Sequence, residues 1–189
     1  KIKFKLFDGL LIEGVLIPSK KRLTACISSQ VGCSLSCKFC ATGTLKLERN
    51  VTASEIYEQV FLLNEQAALI FGKPISNIVY MGMGEPLLNY KSVVNSTNYI
   101  TSKHGLGMSP KRITVSTAGI SKMIRKLGDD KVKFNLAISL HSASDKKRDA
   151  LMPLNKKINL SELSSAVRYF YEQTGTRVTY EYILFKNVN

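Results

Sequence analysis

From its first residue the chain alternates polar and apolar positions. Lys1-Ile2-Lys3-Phe4-Lys5-Leu6 has the two-residue period of a half-buried strand. Asp8-Gly9 is a strong turn signal, and β-favouring residues resume beyond it, so residues 1–18 predict a hairpin. A strand is expected over 23–28. Thr52-Ala53-Ser54-Glu55 then reads as a capping box, in which each of the two end residues can bond the other's backbone. The helix it opens carries Ile56, Val60 and Leu63 on one face and runs to about Ile70. From there the unit repeats. Strands are predicted over 76–81, 113–116, 132–140 and 177–184, with helices over 91–103, 120–127 and 160–174. Five strands alternating with helices imply an α/β fold with a parallel sheet and right-handed crossovers, either barrel or doubly wound. No low-complexity linker interrupts the series, so the organisation expected is the hairpin 1–18 followed by a single core over 19–189.

The unusual residues fall at corresponding places in this pattern. A cysteine-rich loop follows the first core strand, and Gly82-Met83-Gly84-Glu85-Pro86 follows the second. Ser116-Thr117-Ala118-Gly119 ends the third and Ser139-Leu140-His141-Ser142 the fourth. In an α/β barrel these C-terminal strand ends share one rim, where active sites are built, and that favours a partial barrel.

Composition changes the picture in three respects. The apolar runs are far too short to span a bilayer, and the start has no signal-peptide pattern. With no initiator Met, and an end just past a predicted strand, the sequence reads as a piece of a longer chain. Four cysteines, three of them clustered, argue against a disulfide scaffold and for a reducing cytosol. Lys plus Arg outnumber Asp plus Glu by 27 to 14, a net charge of +13, which favours a nucleic-acid partner over a merely solvated surface. The denser runs, Lys20-Lys21-Arg22, Lys146-Lys147-Arg148 and Lys156-Lys157, equally suit loops kept soluble by charge.

Cys33, Cys37 and Cys40 stand as C-x3-C-x2-C. Such a loop can wrap three thiolates around one face of an iron–sulfur cluster and leave one iron open for chemistry. Zinc is the competitor, but a structural zinc site wants four ligands, and Cys26 lies seven residues before Cys33 inside a predicted strand. The glycines of the 82–86 turn admit positive φ and expose backbone to a ligand, and Glu85 at its tip can accept from an ammonium group. Read singly, the other residues are bland. Ser116 and Thr117 suit a helix N-cap, Ser139 and His141 a strand end with a structural histidine, and His104 the surface. Glu13 is the polar face of a strand, and Cys26 a buried thiol acting as a small hydrophobe.

Taken together, Cys33-x3-Cys37-x2-Cys40 and Gly84-Glu85-Pro86 resemble the radical S-adenosylmethionine superfamily. The strings Cys26 to Cys33, Gly82 to Asn89, Val115-Ser116-Thr117 and Ser139-Leu140-His141 resemble one branch, the dual-specificity rRNA/tRNA adenine-C2 methyltransferases. A sibling branch that methylates C8 is the rival, and Val31 and Pro86-Leu87-Leu88-Asn89 fit the C2 branch better. The resemblance implies a [4Fe–4S] cluster on Cys33, Cys37 and Cys40, and S-adenosyl-L-methionine bound by Gly84, Glu85, Ser116, Ser139, Leu140 and His141. It implies that Glu13 is a proton acceptor and that Cys26 resolves a protein–RNA adduct, pairing transiently with a second, methyl-carrying cysteine. A 5′-deoxyadenosyl radical would take hydrogen from that methylated cysteine, which then adds to C2, a carbon that is not nucleophilic. The methyl-carrying cysteine belongs to the family's C-terminal region, and no cysteine follows Cys40, so the fragment alone is expected not to turn over. The implied partners are rRNA, tRNA and a flavodoxin-type electron donor, with no membrane, for a cytoplasmic monomer. The alternatives are another radical enzyme, such as an activase, and a basic RNA-binding module with structural zinc.

Overall fold

The computed structural model describes residues 1–189. Its first two strands, β1 (Ile2–Lys5) and β2 (Leu11–Pro18), form the expected antiparallel hairpin with Ile2 opposite Gly14 and Lys5 opposite Leu11. β2 continues into antiparallel pairing with β3 (Leu23–Cys26), so the hairpin extends the main sheet, and its Ile12 is fully buried in the common core. β4 (Gln30–Val31) and β5 (Arg49–Asn50) make a separate two-stranded ribbon. Then come α1 (Ala53–Phe71), β6 (Asn77–Tyr80), α2 (Tyr90–Thr101), β7 (Ile113–Thr117) and α3 (Ser121–Asp129). β8 (Asn135–Ser139), α4 (Asp145–Leu151), α5 (Leu160–Thr174) and β9 (Val178–Glu181) complete the series.

The seven-stranded sheet runs β1-β2-β3-β6-β7-β8-β9, and β3, β6, β7, β8 and β9 are mutually parallel. Their spatial order is their chain order, with no reversal. A doubly wound sheet needs a switch point where the order turns back; a barrel wall does not. The arc is therefore a partial (β/α) barrel. Its core packs the strand residues Ile78, Ile113, Val115, Leu136 and Ile138 against Ile56, Val60 and Leu63 of α1 and Ile124, Leu127 and Phe170 of α3 and α5, all of them fully buried. No helix is long and apolar enough to cross a membrane.

Local chemistry sets the element ends. The capping box is present: Glu55 N donates to Thr52 Oγ1 at 3.2 Å and Thr52 N to Glu55 Oε2 at 2.8 Å. Asn159 Oδ1 accepts from Glu162 N at 2.9 Å and starts α5 at the residue the pattern predicts. Four differences stand out. The last predicted strand is only four residues long, and the strand expected from 132 starts at Asn135, after Lys131 turns the chain with a φ of +47°. The two-residue strands β4 and β5 are too short for any periodicity to reveal. α4 was also not expected, because its face is made by Arg148, buried among residues read as a solvated basic run. Lys146 and Lys147 beside it, Lys20-Lys21-Arg22 and Lys156-Lys157 are exposed.

Candidate cofactor-binding site

The cysteine loop leaves the ribbon at Val31 and returns at Arg49, and its base is pinned by Glu48 N donating to Val31 O at 2.9 Å. Gly32 makes the pinch possible. Its φ is +80°, and a Cβ there would lie 1.8 Å from the carbonyl oxygen of Lys46 on the returning limb. Within the loop, turns link Cys40 N to Cys37 O at 3.1 Å and Gly43 N to Cys40 O at 3.0 Å. Lys38 N donates to Leu151 O at 2.9 Å and fastens the loop to the end of α4.

The neighbouring Gly82-to-Pro86 turn is fastened to the same ribbon. Ser29 N and Gln30 N both donate to Met83 O, and Glu85 N donates to Gln30 Oε1 at 2.8 Å. Gly84, with a φ of +96°, lies so close to Gln30 that a Cβ would fall 2.4 Å from that side chain. Asn89 Nδ2 donates to Ser29 O and Val51 O, closing the far side.

These turns enclose a cavity of about 210 Å³ lined by Cys33, Cys37 and Cys40 together with Gly84, Glu85, Ser116 and Ser139. Two strands and two loops thus bring seven of the expected site residues to one place. Glu85 is not a solvated tip: it is 3% exposed, its Oε1 accepts from Leu87 N and its Oε2 from Ala118 N at 2.7 Å. Burial raises its carboxyl above the usual range, and those backbone donors oppose the rise. Leu140 and His141 stand just outside the lining. His141 is buried with a φ of +55°, its Nδ1 accepts from Ile183 N, and its ring meets Phe39 edge-on at 4.6 Å. Burial, then the Arg148 charge, lowers its pKa, so the imidazole is neutral at physiological pH.

Cys26 ends β3 opposite Val79 and is 9% exposed. Burial pushes its thiol up, and Glu181, which lines the cavity, adds to the rise. All four cysteines are free, so Cys26 forms no disulfide within this chain. Glu13 is not brought to the cavity. It pairs with Lys1 Nζ at 2.6 Å and faces a separate hollow lined by Ala41, Thr42 and Met83, where the cysteine loop and the glycine turn form a shared wall.

Pattern reading did not single out three residues that build this site. Glu181 lines the cavity, accepts from Ser116 Oγ at 2.9 Å and Ser139 Oγ at 3.5 Å, and lies directly opposite Ser139 in the sheet. Its position at a strand end, like the four motifs, was the available signal. Gln30 joins the ribbon to the turn, and Arg148 holds the carbonyls of Ala118, Ser139 and Leu140; nothing local marks either.

The donor set fits an iron–sulfur cluster. Cys33, Cys37 and Cys40 share one cavity whose lining holds no His or fourth Cys to complete a four-ligand structural zinc site. A [4Fe–4S] cluster instead needs only one thiolate for each of three irons. Burial, followed by the charges of Cys33, Cys40 and Glu85, pushes Cys37 up to about 11, and burial also raises Cys33. Metal binding has to displace those protons.

Residues 27–189 match the model of the Radical SAM superfamily, and the chain belongs to that superfamily. With the superfamily come its cofactors, a [4Fe–4S] cluster and S-adenosylmethionine. Within that superfamily the chain is similar to relatives described as "Probable dual-specificity RNA methyltransferase RlmN". The protein of Flavobacterium psychrophilum is 56% identical over 185 residues, covering 98% of this chain and 53% of the relative. That of Cytophaga hutchinsonii is 57% identical over 189 residues, covering 100% and 52%. The chain thus spans about half the length of the curated relatives it matches. The crystal structure of a radical SAM methyltransferase from Sphaerobacter thermophilus is similar with a TM-score of 0.95 at 41% identity, over 99% of this chain and 55% of that one.

Proposed function

We propose that this chain is the cofactor-binding core of an RNA methyltransferase that methylates C2 of adenine in 23S rRNA and tRNA through a methyl-cysteine. The observation that carries the reading is the convergence of Cys33, Cys37 and Cys40 with Gly84, Glu85, Ser116 and Ser139 on one cavity. The three thiolates would hold the [4Fe–4S] cluster, which supplies one-electron cleavage of S-adenosylmethionine when bound.

The chain's own residues do the positioning. The turn at Gly84 presents backbone to the ligand, Glu85 fixes that turn to the end of β7, and Ser116 and Ser139 offer hydroxyls from adjacent strand ends. His141 closes the rim against Phe39, and Leu140 beside it is assigned to the same cofactor edge. The buried wall of Tyr80, Pro86, Ala118 and Met152 excludes water from the reacting centre. Cys26 is assigned to resolving the protein–RNA adduct by a transient disulfide. Its raised pKa keeps it a thiol until a base approaches, and Glu13 is assigned as proton acceptor on the hollow beyond the loop. The methyl-carrying thiol has to come from elsewhere in the full-length protein, since no cysteine follows Cys40. The net charge of +13 suits an RNA partner. A flavodoxin-type donor, a monomeric state and a cytoplasmic location complete the reading.

The test is anaerobic reconstitution of the full-length protein followed by assay on rRNA and tRNA. About four irons with a visible charge-transfer band and 2-methyladenine in the product are expected. Stoichiometric zinc, or methyl at C8, overturns the assignment. Methyl transfer by residues 1–189 alone would sink the division of labour between this chain and the rest of the protein.

A further inference from the structure

Arg148 is the largest side chain that the fold buries completely, at 1% exposure. Its guanidinium makes no ion pair: Nη2 donates to Ala118 O at 2.6 Å and Ser139 O at 3.2 Å, Nε to Leu140 O at 3.1 Å, and Nη1 to Asn155 Oδ1 at 2.6 Å. All four acceptors are neutral. The acids on its own helix, Asp145 and Asp149, are held by Asn155 Nδ2 instead, at 2.8 and 2.7 Å. Hydrogen bonds to carbonyls satisfy the donors without a direct counter-charge; Asp145 and Asp149 act on the guanidinium only from a distance, and a buried charge so weakly paired is costly.

The compensation is found on the other side of a thin wall. Ala118 and Ser139, whose carbonyls Arg148 holds, line the cysteine cavity, as does Met152, four residues further along. Cys37 and Phe39 pack on Ala118, Leu151 and Met152, and Lys38 N bonds the end of α4. Of the charges that act on the guanidinium, Cys37 comes first, ahead of Asp145 and Asp149. No cationic residue lines the cavity, whereas Glu85 and Glu181 bring two acidic side chains to it.

We propose that Arg148 is the built-in counter-charge of the iron–sulfur cluster, a fixed cation behind Cys37 that raises the cluster's reduction potential. The inference rests on the reading that Cys33, Cys37 and Cys40 hold that cluster. Reduction adds one electron, drawn from an external one-electron donor, and no proton. With three thiolates the net charge goes from one negative to two, and net charge is one of the terms that set such potentials. A nearby buried cation favours the more negative state. Arginine suits the place because its planar fork can satisfy several carbonyls while staying charged.

The experiment is a dithionite titration of the reconstituted full-length protein, followed by visible and EPR spectra, on wild type, Arg148→Met, Arg148→Gln and Arg148→Lys. At one fixed potential, both neutral variants are expected to lose at least tenfold in the ratio of reduced to oxidised cluster, equivalent to about 59 mV for one electron. Arg148→Lys keeps the charge and should stay within about threefold of wild type. The metal-free forms of all three variants should melt lower, since each loses the fork. A merely structural role gives a different signature: a loosened wall admits water, which stabilises the more charged state and raises the potential. An unchanged or raised potential in both neutral variants, or a lysine variant that falls as far as they do, overturns the proposal. If Arg148→Met does not fold, Arg148→Gln against Arg148→Lys carries the same contrast. A wild-type protein that takes up no cluster brings down the site reading, and this inference with it.

Discussion

Gly32→Ala should disable the cysteine loop while leaving the barrel wall standing. Two costs combine at this position. A left-handed backbone with a Cβ costs roughly 1–2 kcal/mol, and the φ of +80° is imposed by the returning limb. The new Cβ also lies 1.8 Å from Lys46 O, 2.7 Å from Lys46 C and 3.1 Å from the Cα of Leu47. These are backbone atoms, so no rotamer change relieves the overlap, and the limbs must separate by more than about 1 Å. That separation breaks the Glu48 N to Val31 O bond and strains the ribbon pairs Gln30–Asn50 and Val31–Arg49. One or two lost bonds at about 1 kcal/mol each bring the total to roughly 2–4 kcal/mol. For a chain of this size that is a fall in Tm of about 5–15 °C. The control is Gly72→Ala, where φ is +65° but nothing lies within 4 Å of the added Cβ, so only the backbone cost applies. Thermal unfolding of the metal-free protein by circular dichroism gives the comparison, and iron content after reconstitution gives the consequence for the site. Gly32→Ala should melt below Gly72→Ala and retain less than half the wild-type iron. If the two melt together and both bind iron as wild type does, the pinch at Lys46 does not shape the loop.

Other outcomes can be stated from the same geometry. Thr52→Ala removes the acceptor for Glu55 N and should cost about 1 kcal/mol in urea unfolding; a change near zero would mean that Glu55 alone caps α1. In the metal-free protein Cys37 holds its proton up to about 11, against an ordinary value of 9.0. Between those values the folded state keeps a proton that the unfolded chain has released. Stability therefore falls as pH rises through that window, and Cys37→Ser should flatten the slope. Glu181→Gln should weaken S-adenosylmethionine binding by about tenfold in calorimetry at unchanged iron content, because a charged acceptor shared by Ser116 and Ser139 is lost. Unaltered affinity would remove Glu181 from the ligand's surroundings.

What the sequence disclosed divides along a physical line. Elements whose signal is local were legible: the Asp8-Gly9 turn, the Thr52–Glu55 box, the apolar stripe of α1, and α5 with its Asn159 cap. The C-x3-C-x2-C loop was legible for the same reason, since its ligands are neighbours in the chain. α4 was not, because the residue that anchors it is an arginine inside a charged run, and its partners at Ala118, Ser139 and Leu140 belong to other strand ends. Glu181 was hidden likewise: in Thr179-Tyr180-Glu181-Tyr182 it reads as a polar strand face until pairing sets it opposite Ser139. The separation of Glu13 from the cavity also depends on where the sheet carries β2, which no periodicity states.

The same distinction explains how the site is kept rigid. Apolar packing holds the strands to the helices, but the turns that form the cavity are knit by buried polar groups. Gln30 joins the ribbon to the Glu85 turn, Glu85 joins that turn to Ala118, and Arg148 joins Ala118 to Ser139 and Leu140. Each link crosses from one strand end to the next, so the chain of links runs around the rim in strand order. A hydrophobic replacement at any of them leaves a buried carbonyl or N–H without a partner, at a cost of about 1–3 kcal/mol per group. That cost explains why polar residues persist at the strand ends even where they touch no ligand. Glu85 and Arg148 are therefore scaffold first, and Arg148 is electrostatics as well. Their hydrogen bonds fix where the thiols stand, and the Arg148 charge behind the cavity wall contributes to the field in which those thiols work.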